Sequence, residues 1–171
     1  MVRVIVAALF MLLAVVLPAA AQDEFPRVEV AMGYANVGFP TGVNGQSERH
    51  SGFAMHTGLN FTKNFGIENY TGFYSLGSGI TLISNMVGGK ATLRGGGKLV
   101  PYGVAGIGAS YATSNYSSSG TALSTRFGGG VDLPLNDAMS LKFDVSRMGF
   151  HFGSWSQNTN VSAGISFTLS N

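Results

Sequence analysis

The chain has 171 residues, of which only 11% are charged, with 10 Lys and Arg against 8 Asp and Glu and no Cys. A soluble domain carries roughly 25% charged residues, so these charges are too few to clothe a surface in water. The near-balance without any Lys/Arg cluster argues against nucleic acid as a partner, and the lack of Cys excludes a disulfide framework and a lipid-anchored N-terminal cysteine.

The first 21 residues, MVRVIVAALFMLLAVVLPAAA, are expected to be a cleaved signal peptide. Arg3 supplies the positive start, Val4 to Leu17 the apolar core, Pro18 the break and Ala19-Ala20-Ala21 the small residues of a cleavage site. Residues 22–171 then form one domain. No run of 18 apolar residues follows, which removes helical membrane spans. An exported chain that is neither charged nor helical and apolar points to a transmembrane β-barrel.

Eight segments alternate with period two, the signature of strands with one apolar and one polar face. In residues 27–37, Val28, Val30, Met32 and Tyr34 oppose Glu29, Ala31, Gly33 and Ala35. In 52–61, Phe53, Met55, Leu59 and Phe61 oppose Ala54, His56, Gly58 and Asn60. The third, 65–74, is less regular: Ile67 and Phe73 oppose Glu68, yet Tyr70 and Tyr74 share the Glu68 phase and Asn69 and Thr71 the apolar one. In 85–94, Val87, Ala91 and Leu93 oppose Gly88, Lys90 and Thr92. The fifth, 99–111, has no charge and its faces stay unassigned, with Pro101 marking a strand start. In 122–133, Leu123, Phe127 and Val131 oppose Arg126 and Asp132. In 138–148, Met139, Leu141, Phe143 and Val145 oppose Lys142 and Asp144. In 160–171, Val161, Ile165, Phe167 and Leu169 oppose Asn160, Ser162, Gly164 and Ser166. Short turns (62–64, 94–98, 134–137) are expected to alternate with longer loops (39–51, 75–83, 113–121, 151–158), the pattern of periplasmic turns and external loops with both termini periplasmic.

The charges decide which face looks outward. Glu29, Glu68, Lys90, Arg126, Asp132, Lys142 and Asp144 all fall on the polar phase, among Gly, Ala, Ser and Asn. That phase is too poor in charge for a soluble exterior, whereas four acids and three bases can pair inside a narrow barrel. On the lipid side each would cost roughly 2–4 kcal/mol at mid-depth. The expected fold is therefore all-β: an eight-stranded antiparallel up-and-down transmembrane β-barrel with an interior charge network. Within it, Glu68 is expected to pair with Lys90 and Asp132 with Lys142. Arg147 falls on the lipid phase unless the strand bulges there. Tyr34, Phe53, Phe150 and Phe152 suit an aromatic girdle.

The segments NFGIE, VGGKATL, LVPYGVAGIGAS, RFGGGVDLPLNDAMSLKFD and VSAGISF resemble the OmpA/OmpX-like outer-membrane β-barrel family of Gram-negative bacteria over essentially all of residues 25–169. The resemblance implies residence among outer-membrane lipid and lipopolysaccharide, insertion by the outer-membrane assembly machinery, and a monomer. Members usually end on an aromatic residue that this machinery reads; here Leu169 stands there, two positions after Phe167. The family includes lipid A deacylases with Ser two residues after a catalytic His, but in HFGS Gly153 holds that place after His151, and Ser154 is one too far.

The remaining motifs carry bland readings. His50, His56 and His151 lack the spacing of a metal site. The Gly runs at 95–97 and 128–130 match no phosphate-binding pattern. Tyr116 and Trp155, expected in outer loops, are possible contacts to an extracellular ligand or interfacial anchors. No cofactor is expected. The sequence supports a non-enzymatic outer-membrane protein with a structural or surface-contact role, including adhesion, through its external loops. The alternatives are a small-solute pore or a lipid A-modifying enzyme.

Overall fold

The computed structural model describes residues 25–40, 47–77, 79–95, 98–114 and 119–170. The signal segment and Tyr116 lie outside these described residues. The strands are β1 Val28–Pro40, β2 Ser47–Asn60, β3 Phe65–Ser75, β4 Ile80–Thr92, β5 Val100–Ser114, β6 Gly120–Pro134, β7 Met139–Phe152 and β8 Ser154–Ser170. Each pairs antiparallel with its sequence neighbours, and β1 pairs with β8, so the sheet closes into a barrel.

Register fixes the shape. Following direct partners from Val28 through Leu59, Ile67, Gly89, Ala105, Phe127, Arg147 and Thr159 returns to β1 at Gly38, ten residues further along. With eight strands, that stagger corresponds to a strand tilt of roughly 40°. The outer face carries the apolar phase: Met32, Tyr34, Phe53, Ile67, Phe73, Val87, Phe127, Phe143, Val145, Ile165 and Phe167 are exposed. Such a belt is what lipid requires of a barrel wall, and no helix among the described residues is long and apolar enough to cross a membrane.

The strands run further than the alternation alone indicates. Residues 47–51, 80–83 and 151–158 belong to strands or, at Gly153, to a tight hairpin. Beyond the lipid band an outward side chain need not be apolar, so the alternation fades while the hydrogen-bonded ladder continues. Gly153 makes the β7–β8 hairpin possible with φ of 82°, a left-handed backbone that glycine adopts without strain. The unassigned β5 points Tyr102, Val104 and Ser110 inward and Pro101, Ala105, Ile107 and Tyr111 outward.

β3 is regular, and Asn69 and Thr71 do face outward. Arg147 also faces outward without a bulge, its Nη1 donating to Thr159 Oγ1 at 2.9 Å. Phe150 departs from expectation. It lies inside the barrel, 1% exposed and stacked on Phe39, whereas Phe152, in the same phase at the strand's end, is exposed at the rim.

A narrow barrel curls tightly, which brings inward Cβ atoms of adjacent strands together. At Gly88 a Cβ would stand 2.0 Å from the Ala105 carbonyl oxygen, whereas at outward-facing Gly89 it would meet nothing within 4 Å. Gly88→Ala should therefore push β4 from β5 and cost about 1–3 kcal/mol, while Gly89→Ala should be near neutral. Melting of the heat-modifiable band in detergent reads both; equal effects would remove the curvature argument.

Candidate functional site: the filled lumen

The strand period delivers all seven anticipated charges to one enclosed space. Glu68, Lys90, Arg126, Asp132, Lys142 and Asp144 are buried, and Glu29 is nearly so. Arg126 is the hub. Its Nη1 donates to Glu68 Oε1 at 2.8 Å, its Nη2 to Asp144 Oδ2 at 2.7 Å and its Nε to Ser146 Oγ at 3.3 Å. Glu68 also meets His56 Nδ1 at 3.2 Å and Lys142 Nζ at 3.8 Å. Lys142 donates to Asp132 at 3.1 Å, directly across the β6–β7 ladder.

Glu68 does not take Lys90 as its ion-pair partner. Lys90 Nζ donates instead to Glu29 Oε2 at 3.0 Å, while Arg94 Nη2 reaches Glu29 Oε1 at 3.4 Å and Asn60 Nδ2 donates to Oε2 at 2.9 Å. The stagger explains the exchange. Lys90 is level with Gly66, toward the turn end of β3, and Glu68 lies directly opposite Gly88 instead. Arg94, which the sequence places where the fourth segment meets its turn but not in the interior network, makes the ion pairs of the described residues even: four acids (Glu29, Glu68, Asp132, Asp144) face four bases (Lys90, Arg94, Arg126, Lys142). Neutrality matters because an unpaired buried ion costs several kcal/mol.

Aromatic rings bind the charges together. The Tyr102 ring meets both Lys90 and Lys142, with Nζ atoms 5.0 and 3.9 Å from its centroid, and its hydroxyl donates to Asp144 Oδ2 at 2.9 Å. Arg126 stacks over Tyr70 at 4.6 Å. Tyr70 and Tyr74 share a hydroxyl hydrogen bond, and Tyr74 donates to Asn160 Oδ1 at 2.7 Å. The sequence does signal these tyrosines, through their placement on the polar phase, although their cationic partners follow from register.

Toward the loop end the ions give way to an apolar cluster beside a chain of buried hydroxyls, Ser124 to Ser110 to Ser84, and Asn158, which donates to the Met148 carbonyl. Val37, Leu82, Met86, Met148 and Phe150 are fully buried there with Tyr74, and Phe39, Leu76 and Ala112 pack against them. Two cavities inside the barrel have about 10 Å³ each, room for about one water. One is lined by His56 and Lys142 with Ala31 and Ala54, the other by Glu68 and Arg126 with Met86 and Val104.

Outside the lumen, Trp155 stands on the outer face of β8, not in a loop. It is 51% exposed and its ring lies 5.1 Å from that of His151. The His151 ring of HFGS therefore packs against an aromatic on the barrel wall.

Arg126→Met leaves Glu68 and Asp144 without their shared cation and is expected to destabilise the barrel by about 3–5 kcal/mol, with partial recovery on adding Glu68→Gln. Reversing Lys90 together with Glu29 should restore what each reversal removes alone, and reversing Lys90 with Glu68 should not. Thermal melts of this double-mutant cycle in detergent decide it; equal coupling of Lys90 to both acids would overturn the assignment of partners.

Comparison with known proteins agrees with this architecture. Neisserial surface protein A aligns with a TM-score of 0.69 at 12% identity, covering 83% of this chain and 97% of that one. Ail, the attachment invasion locus protein of Yersinia pestis, aligns at 0.57 with 16% identity, covering 82% and 96%. The N-terminal β-barrel domain of Pseudomonas aeruginosa OprF aligns at 0.57 with 14% identity, again covering 82% and 96%. At such identities the likeness is one of fold. No curated protein matches the sequence. The model of the outer membrane protein beta-barrel domain matches residues 6–169, and the chain belongs to that family of outer-membrane barrels.

Proposed function

We propose that this protein is a sealed, non-enzymatic outer-membrane barrel with a surface-contact role, adhesion included, exerted where its strands rise beyond the lipid on the loop side. In this reading residues 1–21 are removed on export, the assembly machinery inserts the mature chain, both termini are periplasmic and the loop end faces outward among lipopolysaccharide. The observation that carries it is the filled lumen. Met86, Met148, Phe150 and Phe39 occupy the loop half and ion pairs the turn half, and the two cavities among the described residues, about 10 Å³ each, hold about one water each.

Two further observations support the reading. Ail, the attachment invasion locus protein of Yersinia pestis, shares the fold, and one of its structures is a complex with the heparin analogue sucrose octasulfate. Arg49, His50, Arg147 and Trp155 stand toward the loop end of the strands, with Arg49 Nη1 donating to Asn36 Oδ1 at 3.0 Å. Trp155 is the described aromatic best placed for contact, and it also suits interfacial anchoring.

Cells displaying the protein should be retained severalfold better than matched controls on a cultured epithelial monolayer or on heparin-coated plastic. Trp155→Ala should reduce that retention while leaving the barrel heat-modifiable. In planar bilayers the purified protein should show no steady conductance steps, and lipid A mass should be unchanged on overexpression. Stable conductance with no gain in retention would replace this reading with the small-solute pore, and an altered lipid A mass with the enzyme.

A further inference from the structure

The outer wall of β3 and β4 carries a polar cluster where the belt should be apolar. Asn85 Nδ2 donates to Asn69 Oδ1 at 3.1 Å and to Thr71 Oγ1 at 2.8 Å. Thr71 Oγ1 donates to Asn69 Oδ1 at 3.2 Å, and Asn69 Nδ2 reaches Asn85 Oδ1 at 3.4 Å. Thr57 on β2 stands directly beside Asn69 on the same face. On β3 the outward neighbours are Phe65 and Ile67 below and Phe73 above. Asn69 lies four residues from each phenylalanine, which at ~3.3 Å per residue and roughly 40° of tilt is ~10 Å in depth. That places it near the middle of a lipid band about 25 Å tall.

Neither the sealed lumen nor the loop end uses this cluster. Its internal hydrogen bonds are incomplete in a specific way. A primary amide offers two N–H donors and two carbonyl lone pairs. Both donors of Asn85 are used, and Asn69 Oδ1 accepts twice. One N–H of Asn69 and one lone pair of Asn85 Oδ1 are left over, a donor and an acceptor on different strands. Hydrocarbon offers neither a partner, and a polar group without one there is costly.

A second copy of the same surface, related by a two-fold axis through the cluster, satisfies both. The Asn69 amide of each barrel would donate to the Asn85 carbonyl of the other, and the two bonds would be reciprocal, as an isologous interface demands. The adjoining wall permits the approach. Below the cluster, Gly89 and Ala91 on β4 face Ala105 and Gly103 on β5, and Ala109 lies opposite Asn85, so small outward side chains there are interrupted by Val87 and Ile107, while Ile83 and Tyr111 stand above it. Small residues beside polar ones are what lets membrane segments pack together. The far wall instead carries Phe127, Phe143, Val145, Ile165 and Phe167, bulky apolar side chains suited to acyl chains.

We infer that the protein forms a lateral homodimer in the membrane, docked through Asn69, Thr71 and Asn85. The family resemblance implies a monomer; the lipid-facing amides point to a pair. The chain contains no Cys, so single substitutions report cleanly. Ala109→Cys beside the cluster and Phe143→Cys on the far wall are introduced separately into the full chain, and intact outer membranes are oxidised with copper phenanthroline. Ala109→Cys is expected to give a disulfide-linked band at twice the chain's mass, severalfold stronger than from Phe143→Cys. Adding Asn69→Leu with Asn85→Leu should abolish that excess while the barrel still shifts on boiling, which separates loss of docking from loss of fold. Equal bands from the two walls, a band unchanged by the leucine pair, or a conjugate of another mass would each overturn the homodimer. None of these outcomes bears on conductance or cell retention, so this inference and the surface-contact reading fail separately.

Discussion

The pairing of β1 with β8 is the constraint on which everything else rests. In hydrocarbon no water is present to satisfy an open sheet edge, so the sheet must close. Closure of eight strands is possible only with a stagger, and the ten-residue offset from Val28 to Gly38 fixes both tilt and radius. A barrel of that radius holds side chains and little else. The filled lumen is thus a consequence of strand number and register before any particular residue is considered, and composition then decides what fills it.

What fills it differs along the axis. Near the short turns the inward residues are ions, and they must balance because no water shell supports them. Arg126 bridging Glu68 and Asp144 joins β6 to β3 across the lumen and to β7 beside it, so one guanidinium ties together strands distant in sequence. Near the loops Met148, Phe150, Leu82 and Val37 need only shape, and the buried hydroxyls of Ser84, Ser110 and Ser124 satisfy one another. Tyr70 and Tyr74 sit at the boundary, with rings in the apolar stack and hydroxyls in the polar network. The two halves would yield to a solute in different ways: the ion pairs would have to separate and the packed side chains near the loops would have to rearrange.

Parity was legible in the sequence wherever the outward phase must be apolar. Glu29, Lys90 and Asp144 could be assigned to the interior because a charge on lipid is expensive, and that argument needs no partner. Partners were not legible in the same way. Whether Lys90 meets Glu68 or Glu29 depends on stagger and side-chain reach, and Arg94 joins because a long side chain on a turn can enter the barrel mouth. The strand extensions at 47–51, 80–83 and 154–158 were hidden for the opposite reason, since above the lipid both faces can be polar and the ladder leaves no signature in composition. Phe150 illustrates a third limit. An aromatic near a rim suits a girdle and a plug equally well, and its even place in β7, in phase with Met148, is what sends it inward.

The same logic of phase gives meaning to what first looks like irregularity in β3. If the register had slipped there, Tyr70 and Tyr74 would have pointed to lipid and Glu68 with them, and Arg126 would have lost its partner. Instead Glu68 faces Arg126 at 2.8 Å, so the interior pins β3 in place and leaves Asn69 and Thr71 no choice but to face outward. The amides on the wall are therefore held there by the ion pair inside. A surface fixed by the lumen's own chemistry cannot turn away from lipid, and its unused donor and acceptor must be met, if at all, by something that arrives in the plane of the membrane.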